Sequence, residues 1–282
     1  MKKKFNLLKL IPAVFLIVVI VVTLFPVIYI FLSSFKEAKE IMMGGTKILP
    51  SKFTFENYIT AWNAGNFSLY TTNSIIYSVS VSVITVVFCS MLAFSITRQD
   101  FAGKKFVVAC YYGSMFVAGA VTIYPIFKML VAFKLNKSLL GLILATVGMG
   151  QSFALLMIIN YLKGIPKELD ESAKLDGCSP FRLYREIILP IISPVISVVA
   201  IITFQSTWNN YMLPLALTIS TPKLRPLSVG VTALAYAADG KVSGQTDLLI
   251  AGSCMAIIPI VIVYIVANKY FVSDILSGAV KG

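Results

Sequence analysis

The stretch Ile165-Pro-Lys-Glu-Leu-Asp-Glu-Ser-Ala-Lys-Leu-Asp-Gly177-Cys-Ser-Pro-Phe-Arg-Leu-Tyr-Arg-Glu-Ile-Ile-Leu-Pro190 is the longest charged, helix-forming insertion in an otherwise apolar chain. Pro166 suits the first turn of a helix, where its missing N–H would have no partner anyway. Glu168, Asp170 and Glu171 follow, near the positive end of the helix dipole. Asp176-Gly177 reads as a stop, because glycine adopts the left-handed backbone needed just past a helix end. Ser179-Pro180 restarts a helix as N-cap and first position. The expectation is a short helix, a tight turn and a second short helix at a membrane surface. Local physics leaves two uses open: an interfacial helix with no partner, or a docking element. The three acids oppose anionic lipid heads and favour docking.

The flanks of this stretch are apolar and long. Residues 139–162 precede it, and residues from 187 to about 217 follow it, interrupted by Pro190, Pro194 and Pro214. Working outward, residues 10–32, 73–97, 106–127 and 248–267 also carry no charge or almost none. A helix needs about 20 apolar residues to cross a hydrocarbon core, so the reading is six transmembrane helices. Residues 34–70 read as an external loop with a short amphipathic helix near Glu56, and residues 218–246 as a polar loop. Within 106–127, Gly113, Gly119 and Pro125 sit in what reads as one continuous span. The first span follows Met1-Lys-Lys-Lys and is too long for a cleaved leader. Lys and Arg are weighted toward the N-terminus, the 98–105 turn and the charged stretch, which places those segments and both termini in the cytoplasm.

Composition agrees. Of 282 residues, 58% are hydrophobic and 13% charged, and the mean hydropathy is +0.87; soluble domains carry about 25% charged residues. The net charge of +12 is accounted for by loop lysines and arginines, so nucleic acid is not an expected partner; membrane lipid is. The chain has no histidine, which removes imidazole metal sites and imidazole bases. Its four cysteines show no metal or disulfide spacing. No metal site is expected, and with no nucleophile–base pair in evidence the chain does not read as an enzyme.

Uncharged polar and aromatic side chains within the spans are the candidates for a solute pathway: Tyr77, Tyr124, Gln151, Asn160, Gln205 and Asn209, with Asn73, Trp208 and Tyr211 nearer the span ends. Amides, hydroxyls and flat rings suit a neutral polyol. No ionised residue lies well inside a span, which disfavours an ion-coupled secondary transporter. The competing use of the same side chains is helix–helix hydrogen bonding and interfacial anchoring.

The charged stretch also resembles a known family. Glu171-Ser-Ala, three residues, Gly177, nine residues, Ile187-Ile-Leu-Pro190 is similar to the EAA signature of binding-protein-dependent ABC importer permeases, E-A-A, x3, G, x9, I-x-L-P. Ser172 is the one departure, small for small. Asn73-Ser74, Ala93-Phe-Ser-Ile-Thr-Arg98 with Phe101-Ala-Gly103, Trp208-Asn209 with Leu213-Pro-Leu215, and the ending Gly278-Ala-Val-Lys-Gly282 resemble the carbohydrate-importer, maltose-G-type branch. Ser273-Asp-Ile275 departs from its tail pattern.

The resemblance implies an all-α, type I ABC importer fold. It divides the chain into a first transmembrane helix (1–33), an external loop (34–70), the permease domain (71–268) and a cytoplasmic tail (269–282), in a bacterial cytoplasmic membrane. It implies a transport subunit forming half of a pathway for a sugar or oligosaccharide, with a second, non-identical permease subunit, ATP-binding subunits and an extracellular solute-binding protein as partners. Glu168, Glu171, Ser172, Ala173, Asp176, Gly177, Leu189 and Pro190 would form the coupling segment against the ATPase. The 282-residue sequence contains no Gly-x-x-x-x-Gly-Lys-Ser/Thr phosphate loop, so ATP and Mg are expected on the partner and no cofactor is expected here. A different solute, such as a polyol phosphate or modified sugar, is the alternative within the family.

Overall fold

A computed structural model describes residues 7–43, 47–234 and 245–279. All regular structure among them is helical. Four helices are long and apolar enough to cross a membrane: α1 (Leu7–Ser33), α4 (Phe67–Arg98), α7 (Leu139–Lys163) and α13 (Thr246–Ala279). Shorter helices α2 (Ala38–Met42) and α3 (Glu56–Ala64) occupy the first loop, and another, α12 (Leu227–Ala233), precedes the last span. Two further spans are bent pairs. The first joins α5 (Lys104–Ser114) to α6 (Gly119–Ala132) at 112°, and the second joins α9 (Pro180–Ile191) to α10 (Ser193–Trp208) at 76°. Counting each pair once gives the six spans expected.

Three of those expectations need correction. The third span is not continuous: the chain breaks between Ser114 and Gly119, where Ala118 is extended (φ −64°, ψ 124°). Poor helix formers stand at both edges of the break, Gly113 and Ser114 at the end of α5 and Gly119 at the start of α6, whereas Pro125 lies within α6 without ending it. The fifth span ends at Trp208, and Met212–Thr218 forms a separate short helix, α11. The second helix also begins earlier than expected, at Phe67 instead of residue 73.

The chain divides into two compact units, one of residues 1–67 with 231–258 and one of residues 68–230 with 259–282. In the first, the loop after α1 is fastened by Asn57, whose buried amide donates to the carbonyls of Ser34 (2.9 Å) and Lys36 (2.8 Å). Phe35 meets Phe53, Phe55 and Tyr58 at centroid distances of 5.3–5.9 Å. The side chains of α1 from Pro12 through Phe31 are exposed and almost wholly apolar, a surface suited to hydrocarbon and not to water.

The second unit holds two apolar cores. One joins Cys89, Ala93 and Phe94 of α4, Leu155, Ile158 and Leu162 of α7, and Leu183, Ile188, Ile192 and Val199 from α9 to α10. The other gathers Tyr77, Val81, Leu130, Leu142 and Leu217. The loop after α11 is held to α4: Asn73 Nδ2 donates to the carbonyls of Lys223 (2.8 Å) and Arg225 (3.1 Å), and Ser74 Oγ accepts from the Leu227 N–H (2.7 Å). The Asn73-Ser74 pair therefore has a structural use as a clamp. Residues 235–244 of the polar loop, and 280–282 of the Gly278–Gly282 ending, lie outside the described residues. The helix of the last span runs on through residue 279.

Candidate coupling segment and membrane cavities

The charged stretch folds as its local chemistry dictates. Helix α8 (Glu168–Leu175) is capped by Asp176 and followed by Gly177 at φ +77°. The Gly177 N–H bonds the Lys174 carbonyl (3.0 Å) and the Cys178 N–H bonds the Ala173 carbonyl (2.9 Å). These are the two bonds of a Schellman motif. Ser179 Oγ then accepts from the Arg182 N–H at 3.3 Å, capping α9 as expected. Pro166 departs from expectation: it lies outside the helix, one residue before the Lys167 cap. Within α9, residues Leu183–Ile188 form a π-helical turn, with the Leu189 N–H reaching back to Tyr184. The wider turn accommodates Pro190, which has no N–H to offer a regular helix.

Burial sorts the faces of α8. Asp170 and Ala173, three residues apart, point into the body of the unit. Glu168, Glu171, Ser172 and Asp176 are exposed, as is Leu175, at 89%. Ala173 thus packs against the chain's own core, while Glu171 and Ser172 face outward. Leu189 is half-buried and Pro190 exposed on α9. Large apolar side chains left open on a charged loop, Leu175 and Phe181 (62%), are features that sequence reading passed over.

The inward anchor is an ion pair. Arg98 Nε at the end of α4 lies 3.0 Å from Asp170 Oδ2, with side chains only 4% and 7% exposed. Arg98 Nη2 also donates to the Ile165 carbonyl at 3.1 Å. One guanidinium therefore ties both the loop leading into α8 and α8 itself to the second span. Asp170 thus departs from its expected use beside Glu168 and Glu171 as an acid facing a partner: it is turned inward, and its helical spacing from Ala173 is the signal that could have shown this.

The six candidate pathway residues do not converge on one site. Tyr77 is fully buried, its hydroxyl 2.7 Å from Thr146 Oγ1 and 3.5 Å from Asn210 Nδ2. Gln151 accepts from the Tyr111 hydroxyl at 3.4 Å. Tyr124 is exposed, with the Lys128 ammonium 5.1 Å from its ring centroid. Asn160, Gln205 and Asn209 are exposed. Trp208 is buried and stacks on Phe204 at 5.7 Å, and Tyr211 is half-buried.

Two membrane-level cavities are lined by other residues. One, about 280 Å³, is walled by Thr85, Thr146, Thr203, Ser206 and Thr207 with apolar neighbours. Among the described residues, Thr85 Oγ1, buried there, has no hydrogen-bond partner. The other, about 760 Å³, lies at the α5–α6 break among Met115, Gly119, Met149, Gly150 and Phe153. Neither lining includes an ionised side chain. Among the described residues no cluster of His, Cys, Asp and Glu could hold a metal.

Comparison with known proteins agrees with this geometry. The family described as binding-protein-dependent transport system inner membrane component matches residues 5–277. A probable ABC transporter permease protein of Bacillus subtilis, YurM, is 32% identical over 271 residues, covering 95% of this chain and 87% of its own. The arabinooligosaccharides transport system permease protein AraQ of the same organism is 28% identical, covering 99% and 98%. In structure, a chain of a bacterial ABC transporter involved in import of the acidic polysaccharide alginate superposes with a TM-score of 0.81 at 21% identity, covering 96% of this chain and 99% of that one. The chain is a membrane permease subunit of the ABC transporter class, not an enzyme, and belongs to the binding-protein-dependent transport system inner membrane component family.

Proposed function

We propose that this permease carries a neutral carbohydrate, an oligosaccharide or its building block, and that α8 is the surface through which a separate ATPase drives it. Both termini and α8 lie in the cytoplasm. A second, non-identical permease subunit completes the pathway, and an extracellular binding protein delivers the solute. ATP and Mg are held by the ATPase. Residues 71–268 act as the permease domain, with 1–33 as a first transmembrane helix, 34–70 as an external loop and 269–282 as a cytoplasmic tail.

The observation that carries the coupling reading is the two-faced α8. Its inner face is fixed by a buried ion pair and its end by a Schellman turn, while its outer face offers Glu171 and Leu175 to a partner. A short helix held this way moves as one body with α4. The solute class is supported by cavities lined with hydroxyls and free of ionised groups, chemistry that accepts a polyol and gives an ion nothing to pair with. It is supported as well by the oligosaccharide named for the AraQ relative.

The test is reconstitution with the cognate ATPase, second permease and binding protein. Glu171→Lys leaves the assembled chain in the membrane and lowers sugar-stimulated ATP hydrolysis and uptake by more than about tenfold, an amount equal to about 1.4 kcal/mol of lost coupling. Unchanged sugar-stimulated hydrolysis in that variant would sink the coupling role. A screen in which no neutral sugar stimulates the wild-type complex would sink the solute class.

A further inference from the structure

A third cavity, about 680 Å³, lies at the end of the second unit that bears the charged stretch. It is framed by the end of α4, the start of α5 and the end of α7. Its wall is apolar, made by Ile96, Val108, Ala109, Tyr112 and Ile159. Its rim is cationic. Two of the rim cations are already matched: Arg98 faces Asp170, and Lys104 hydrogen-bonds Asp100 at 3.0 Å. That bond and the Lys104 charge hold the Asp100 carboxyl below its usual range. Among the described residues, Lys105, Lys163 and Lys167 form no ion pair, and Asp100 is the one carboxylate in the lining.

We infer that this cavity binds the headgroup of an anionic phospholipid, with Lys105, Lys163 and Lys167 around the phosphate and an acyl chain along the Ile96–Val108–Ile159 wall. The placement fits the ligand. All three helices belong to membrane spans and meet the charged loop at this end, which is the depth of the headgroup layer. Basic pockets between membrane helices at that level favour anionic lipid heads, and the lysine stems can lie along the apolar wall while their ammonium groups reach the phosphate. An acidic protein surface would satisfy the lysines but leave the wall uncovered. The inference is independent of which solute or ATPase the permease serves.

The experiment uses the purified full-length chain in detergent, with lipid adducts followed by native mass spectrometry during titration with phosphatidylglycerol or phosphatidylcholine of identical acyl chains. Inorganic phosphate and glycerol 3-phosphate serve as chain-free competitors. Phosphatidylglycerol binds at concentrations at least about tenfold lower than phosphatidylcholine. Each Lys→Gln change at 105, 163 or 167 weakens that preference by about fivefold, and the triple variant abolishes it. The triple change Lys128→Gln, Lys134→Gln, Lys137→Gln, in the last turns of α6 and the loop to α7, leaves it intact. Since the lysines are exposed, the variants keep the unfolding temperature of the lipid-free wild type. Equal affinity for the two lipids, retention of the preference in the 105/163/167 variant, or full displacement by inorganic phosphate at matching concentration would each overturn the proposal. So would the same loss in the 128/134/137 variant, since it would reduce the effect to overall charge.

Discussion

Replacing Asp170 by Asn keeps the volume of the side chain and removes its charge, so the substitution reads the value of the Arg98–Asp170 pair directly. The two side chains are 4% and 7% exposed, which places them in the buried regime. There, deleting one partner leaves an uncompensated ion and costs about 3–5 kcal/mol. Two details move the expectation to the lower end, about 3 kcal/mol. Among the described residues the Arg98 Nε and Asp170 Oδ1 atoms make no aligned hydrogen bond, and Arg98 keeps its bond to the Ile165 carbonyl after the change. The molecule contains its own control. Arg182 and Glu186 pair at 2.8 Å with side chains 65% and 55% exposed, and water and salt screen such an exposed pair to little net effect. Glu186→Gln should therefore be nearly silent. The double change Arg98→Met, Asp170→Leu removes both charges and fills the space, and should recover most of the loss, because well-packed apolar replacements of buried pairs are often neutral or better. The assay is thermal unfolding in detergent at one fixed scan rate, since membrane protein unfolding is commonly irreversible, with solute-stimulated ATP hydrolysis by the assembled transporter measured beside it. The expected order is wild type, Glu186→Gln and the double variant close together, and Asp170→Asn well below, with α8 loosened and stimulation reduced in proportion. If Asp170→Asn is no more harmful than Glu186→Gln, the pair does not anchor α8 and the reasoning fails.

Two glycines give sharper backbone tests. Gly177 sits at φ +77° with open space where a Cβ would be, so the constraint is conformational: Gly177→Ala costs about 1–2 kcal/mol, and Gly177→Asn, which tolerates the left-handed region, costs less, an order that equilibrium unfolding would expose. Gly141 is different, because a Cβ there would run into the Leu135 carbonyl. Since backbone cannot step aside like a side-chain tip, Gly141→Ala displaces the start of α7 and destabilises by about 1–3 kcal/mol; a variant melting within one degree of wild type would show that the α6–α7 connection yields freely.

Much of this architecture was legible because membrane and helix-end chemistry are local. An uncharged run of about 20 residues has few folded uses other than a span, so α1, α4, α7 and α13 could be read directly. Asp176-Gly177 and Ser179-Pro180 announced their caps because a left-handed turn and an N-cap each depend on one side chain or its absence. What could not be read was anything set by partners distant in sequence. The break between α5 and α6 is hidden in a run whose hydropathy is unbroken. Tyr77 looks like a pathway residue until Thr146 and Asn210 are found against its hydroxyl. Asn73 looks like an interfacial anchor until it is seen holding carbonyls some 150 residues away. Polar residues in membrane helices are ambiguous for this reason: in a medium without water each must find a partner, and whether that partner is solute or protein is decided by packing.

The same logic separates the polar side chains that serve the fold from those left for cargo. Tyr77, Asn73, Ser74 and Ser90 have protein partners: Ser90 Oγ lies 2.8 Å from the Tyr184 hydroxyl and joins α4 to α9. Between them on the same helix, Ser78, Ser82 and Thr85 are buried with no partner among the described residues, and Thr85 lines the hydroxyl-rich cavity. An unmade hydrogen bond in a buried site costs about 1–3 kcal/mol, so three along one helix require water, solute or a second subunit to complete them. Helix α4 therefore joins two features in one length: its charged end holds α8 through Arg98, and its middle presents Thr85 to the hydroxyl-rich cavity. On the coupling proposed for α8, a motion imposed there would pass first to the helix that bears those hydroxyls, which is the connection an ATP-driven sugar permease requires.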